Sequence, residues 1–154
     1  MEKKKPPTGS LLVVLVVSGL LFGIAGVAEA QEDPGFQLVV NSANAAESLT
    51  ARQASNYLLR KSKSWPDGAA VEPVDLPATS EIRESFSRAV HRKSVSAVRA
   101  HWNQQIFAGL GVPPPSVESE SEVLEYVRTH PGAIGYVGTG TDLGTGVKAL
   151  RLTD

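Results

Sequence analysis

Apolar and polar positions alternate between two periods along this chain, and the change of period marks its elements. Residues 36–41 contain Phe36, Leu38, Val39 and Val40 in a short β-prone run, which predicts a buried strand. A small, polar stretch follows. Thr50 with Gln53 three residues on then has the spacing of a capping box, opening a helix whose inner face carries Ala54, Tyr57 and Leu58. Trp65-Pro66-Asp67-Gly68 is a turn, and residues 70–74 form a second strand that Pro73 makes either an edge strand or a short one.

Thr79 or Ser80 caps the next helix, with Ile82, Phe86, Ala89 and Val90 at the spacing of one face. Another helix is predicted over 96–108, with Val98, Trp102, Gln105 and Ile106 on one side and Gly109 as its stop. Three consecutive prolines make 111–116 an extended linker within one domain. Ser119 and Glu122 repeat the capping spacing before Val123, Leu124 and Val127. A strand at 133–137, a Gly/Thr loop at 138–146 and a last β-prone run at 147–152 complete the pattern. Strands alternating with amphipathic helices predict an α/β domain with a mixed β-sheet flanked by helices.

The first thirty residues follow a different logic. Lys3, Lys4 and Lys5 precede an apolar stretch from Leu11 to about Ala25, which ends at the small-residue pattern Ala28-Glu29-Ala30. These are the parts of a secretory signal peptide cut after Ala30, giving residues 1–30 as signal and 31–154 as the domain. A membrane anchor is the competing reading, but Ser18, Gly19, Gly23 and Gly26 loosen a run already short for a span. The protein is thus expected to be soluble and either periplasmic or secreted. There is no cysteine, so neither a disulfide framework nor a lipid-modified cysteine contributes.

Residues 1–30 hold Lys3, Lys4 and Lys5 against Glu2 and Glu29. Removing them from 15 Lys and Arg and 16 Asp and Glu leaves 12 against 14, a net charge near −2. So balanced a domain has no long-range field to collect nucleic acid, and no nucleic-acid partner is expected.

His91, His101 and His130 are far apart and fit no metal-ligand spacing, so no metal site is expected. No Gly-x-Ser-x-Gly elbow is present, and the residues suggest no catalytic group and no cofactor; the chain reads as a non-enzyme. The Gly/Thr loop lacks the Lys-Ser/Thr ending of a phosphate-binding P-loop. Trp65 and Trp102 would form a stacking platform if both were exposed, but Trp102 falls on an apolar helix face. The helix start at Thr79 and Ser80 is the position of most interest. Two hydroxyls and unpaired amides converge there at the positive end of a helix, with Arg83 one turn in, an arrangement suited to an oxyanion as well as to an ordinary cap.

Several stretches, in order, resemble the phosphate-binding proteins of ABC transporters, members of the type 2 periplasmic-binding superfamily. They are Val39-Val40-Asn41 leading to Leu49-Thr50; Tyr57-Leu58-Leu59 before Trp65-Pro66-Asp67-Gly68; Pro73-Val74 before Ser80 and Phe86; and Pro131-Gly132-Ala133-Ile134-Gly135-Tyr136-Val137. The resemblance implies a periplasmic-binding-protein-like fold. Full-length members have two lobes, and the 31–154 domain is about half their size, so it implies a single lobe. The family's second-lobe phosphate motif is similar to Arg, a short spacer, then Ser-Gly-Thr-Arg-x-x-Phe. Aligned on Phe86, this chain keeps Ser80 and Arg83, has Glu81 for the glycine and Ile82 for the threonine, and offers Asp75 near the upstream arginine.

The resemblance therefore implies inorganic phosphate or a similar oxyanion at Thr79, Ser80 and Arg83, with an ABC transporter membrane component as partner. A homodimer or a partner lobe would complete the cleft. The degenerate motif and the half size leave open a second reading, a ligand-free module that acts with another envelope protein.

Overall fold

A computed structural model describes residues 33–154. The leader and its cleavage point lie outside the described residues. The sheet is built around β1 (Phe36–Asn41), which lies between β4 (Ala133–Gly138) and β5 (Val147–Thr153) and is antiparallel to both. Leu38 stands opposite Tyr136 on one side and Leu150 on the other. Covered on both faces, β1 and β4 are almost wholly buried, which is why their sequences are continuous apolar runs rather than alternating ones.

Two short strands finish the edges. β2 (Ser48–Thr50) pairs parallel with β5, and β3 (Glu72–Pro73) pairs parallel with β4, giving the order β2-β5-β1-β4-β3. Pro73 sits on the edge strand, as its missing N–H requires. All strands but β1 point the same way, so their carboxyl ends share one edge of the sheet.

Helix α1 (Ala51–Leu58) begins where β2 ends, at that edge. Its capping box is complete: the Gln53 N–H donates to Thr50 Oγ1 at 3.1 Å, and the Thr50 N–H donates to Gln53 Oε1 at 2.9 Å. Helix α2 (Glu81–Phe86) runs into a π-helical turn (Ser87–His91). Helices α3 (Val95–Phe107) and α4 (Glu120–Thr129) follow, capped by Ser94 and Ser119. None of the described helices is long and apolar enough to cross a membrane.

The π-turn changes one expected face. Its wider winding shifts the register after Phe86, so Ser87 and Val90 turn inward while Ala89, expected to be buried, lies exposed. The buried Ser87 hydroxyl donates to the Lys93 carbonyl at 2.7 Å, so it carries no unpaired polar group into the core. In α3 the buried residues are Val95, Val98 and Trp102, whereas Ile106 is outside. Trp102 packs with Leu59 and Val98 in a small satellite core.

Two glycines fix how closely elements approach. A Cβ on Gly132 would lie 2.0 Å from the Ala70 carbonyl oxygen, and its own carbonyl accepts from the Trp65 indole N–H at 3.0 Å. A Cβ on Gly135 would meet Val74 and Val123 at 2.9 Å each, so the absence of a side chain lets α4 settle on β4.

Candidate functional site

The loop from β3 to α2 carries Thr79 and Ser80, and the first turn of α2 carries Arg83. Ser80 has extended backbone angles and caps α2, its Oγ accepting from the Arg83 N–H at 3.2 Å. The Ser80 N–H closes a turn onto the Pro77 carbonyl at 3.0 Å. Thr79, at that turn, is exposed. The backbone amides of Glu81 and Ile82 and the Thr79 hydroxyl have no hydrogen-bond partner among the described residues. The Ser80 hydroxyl still has its proton to donate. Two amides and two hydroxyls therefore stand together at the positive end of α2.

Arg83 lies one turn in but faces elsewhere. Its guanidinium pairs with the Asp75 carboxylate, Nη2 to Oδ2 at 2.9 Å, and donates through Nη1 to the Leu76 carbonyl. The two side chains are only 15% and 14% exposed. The other oxygen of Asp75 accepts from the Tyr136 hydroxyl and from the Leu76 N–H, the latter at 3.0 Å. Tyr136 is fully buried and stacks on Phe86 with ring centroids 3.9 Å apart and planes within 1°.

Burial pushes the Asp75 pKa up, and the Arg83 charge and the Tyr136 and Leu76 hydrogen bonds pull against it. Burial, with the Asp75 charge beside it, drives the Tyr136 hydroxyl well above the usual phenol range, so it stays a donor. Asp75 is also pinned through its backbone: its N–H donates to the Pro115 carbonyl at 2.9 Å, and its carbonyl accepts from Val117 at 3.0 Å. The extended proline segment thereby passes beside the site.

A second carboxylate, one the sequence did not single out, stands at the same edge. Glu120, in the first turn of α4, accepts from the Gly138 N–H at 2.7 Å and from the Thr141 hydroxyl at 2.6 Å. A Cβ on Gly138 would touch both Glu120 Oε2 and Ile82 Cδ1, at 3.3 and 3.2 Å, so the two helix starts flank the end of β4. The Gly/Thr loop is thus bound to the body of the domain by an internal anion. Only the position of a glutamate at a helix start hints at this in sequence, and nothing there links it to residue 138.

Thr79, Ser80 and Arg83 are therefore brought to one place, yet the charge of Arg83 is matched internally by Asp75. What the helix start offers an anion is amides and hydroxyls, beside the carboxylate-bearing Glu81. No group of three or more His, Asp or Glu side chains arranged to hold a metal occurs among the described residues. Ligands of open α/β sheets bind outside the carboxyl ends of the strands, and the α2 start lies at that edge.

No protein-family model matches the chain, and no curated protein matches it. Solved structures do. An ABC-type phosphate transport receptor from Vibrio cholerae superimposes with a TM-score of 0.59 at 22% identity, over 77% of this chain and 46% of the receptor. A substrate-binding protein with bound phosphate from Clostridium perfringens gives 0.59 at 20% identity, over 77% and 44%. PstS from Borrelia burgdorferi gives 0.61 at 15% identity, over 78% and 47%. This chain spans less than half the length of each. Its mixed five-stranded sheet with flanking helices is the fold of these receptors, in an extent that fits a single lobe.

Proposed function

We propose that this chain is an exported, non-enzymatic solute-binding protein that takes phosphate or another tetrahedral oxyanion at the start of α2, in the service of ABC-type phosphate uptake. One observation carries the reading. In a fold shared with phosphate transport receptors, the Glu81 and Ile82 amides and the Thr79 and Ser80 hydroxyls stand unclaimed at the carboxyl edge of the sheet. Arg83 holds Asp75 and so sets the loop that presents them, instead of gripping the anion itself. The signal-like leader supports export, and the domain acts as a soluble protein in the periplasm or outside the cell. The membrane component of a transporter, a partner lobe or a second copy closes the other side of the anion.

Four hydrogen bonds of about 1 kcal/mol each correspond to a Kd on the order of 1 mM. Thermal unfolding at increasing phosphate tests this directly, because a ligand bound only by the folded state raises the midpoint with the logarithm of its concentration. The reading expects a rise of a few degrees at about 10 mM phosphate that Ser80→Ala cuts by about half. An unchanged midpoint would count against it.

The reading as a ligand-free interaction module draws on a separate observation. Ile106, Phe107, Leu110 and Val112 are 50%, 93%, 70% and 57% exposed, at the end of α3 and just beyond. Large apolar side chains gathered this way on a surface are a feature of protein contacts. On this reading the chain pairs with another envelope protein, and Phe107→Asp abolishes its capture from envelope extract while leaving the fold intact.

A further inference from the structure

A second, cation-lined concavity lies apart from the α2 start. Between the first half of α1 and the end of the π-turn lies an open groove of about 710 Å³, a size that takes a small molecule rather than a single tetrahedral ion. Arg52, Lys61 and Arg92 line it together with Ser55 and His91, and Asp154 is the one acidic residue among the lining residues. None of the three cations has an ion-pair partner among the described residues. We propose that this groove binds a multiply charged anion of the short phosphate-chain class, held by Arg52, Lys61 and Arg92.

Three features support the assignment. Unpaired guanidinium and ammonium groups that line one groove repel one another, and a ligand with several negative charges offsets that repulsion more than a single tetrahedral ion does. Arg92 is held in place by the backbone: it closes the π-turn in the left-handed region at φ 54, its N–H donating to the Ser87 carbonyl. The imidazole that lines the groove is itself held uncharged at neutral pH. His91, whose Nδ1 meets Ser55 Oγ at 2.9 Å, has its pKa pushed down to about 4 by burial and by the charges of Arg83, Lys61, His101 and Lys93. A neutral imidazole there leaves the arginines and the lysine to supply the charge.

The inference does not rest on phosphate binding at Ser80, and one experiment separates the two. Calorimetric titration of the purified chain with sodium tripolyphosphate and, separately, with orthophosphate is compared across the wild type, Arg52→Gln/Lys61→Gln, Arg92→Asn, Ser80→Ala and the remote control Arg151→Gln. Asparagine tolerates the left-handed backbone at 92, so that variant folds. The expected result is tripolyphosphate binding about tenfold or more tighter than that of orthophosphate. Each groove variant loses about tenfold or more of it, and Ser80→Ala and Arg151→Gln leave it unchanged. No tripolyphosphate binding in the millimolar range would overturn the proposal. An equal loss in Arg151→Gln would also overturn it, since binding would then follow net charge alone.

Discussion

The Tyr136 hydroxyl donates to the same Asp75 carboxylate whose other oxygen pairs with Arg83, so a strand residue and a loop residue 61 positions apart fix the approach to α2. An oxyanion site commonly spends its arginine on the ligand. Here the arginine is held by the protein, and the groups left open at the α2 start are uncharged amides and hydroxyls.

Removing the cation of this triad leaves a largely buried carboxylate uncompensated. Arg83→Met is expected to destabilise the domain by about 3 kcal/mol in urea unfolding. Tyr136→Phe, which removes one donor and keeps the stacking on Phe86, should cost about 1–2 kcal/mol. The two losses should fail to add when combined with Asp75→Asn, because all three substitutions act on one network.

His91 gives a pH dependence of definite sign. Its folded pKa is near 4 against 6.5 for the free side chain, so the unfolded state binds more protons between those values. Stability is therefore full above about pH 6.5 and is lost as pH falls toward 4. Asp75, whose folded pKa is raised, acts in the opposite direction: its contribution is present below its unfolded pKa and is lost as pH rises through the folded one. His91→Gln keeps a partner for Ser55 and removes the charge. It should flatten the fall between pH 6.5 and 4 by about 1–3 kcal/mol, measured by unfolding at each pH.

Most of the fold was legible in the sequence because its signals are local. The Thr50/Gln53 pair forms both halves of its capping box, Ser80 and Ser119 cap where hydroxyls precede acidic first turns, and Pro73 lies on an edge strand. What was not legible depends on backbone winding or distance. A one-residue shift at the π-turn moved Ala89 outward and Ser87 inward, and three residues of β2 are too few to show a period. Thr79, Ser80 and Arg83 stood out as a cluster, but no spacing could tell that Arg83 would turn to Asp75, or that Tyr136 would join them.

Close approach at Gly135 predicts a clear penalty. Gly135→Ala pushes a methyl against Val74 and Val123 at 2.9 Å and should destabilise by about 1–3 kcal/mol through overpacking. Adding Val123→Ala makes room beside the methyl and should recover part of that loss relative to the sum of the single changes, as read in chemical unfolding.

Ser80 and Ser94 form a matched pair, since each caps a helix by accepting from the third N–H along. Either change to alanine should cost about 1 kcal/mol of stability. Only Ser80→Ala should also reduce the phosphate-dependent rise in midpoint, by about half at about 10 mM, which distinguishes loss of a ligand contact from loss of a cap.

The most direct measurement is the amide ¹H–¹⁵N spectrum of the protein titrated with phosphate. The expected result is saturable shifts that are largest at Glu81 and Ile82, the two unpaired amides of the α2 start, and that need about fivefold more phosphate in Ser80→Ala. A titration that leaves both amides in place up to about ten times the expected Kd would contradict an oxyanion site there.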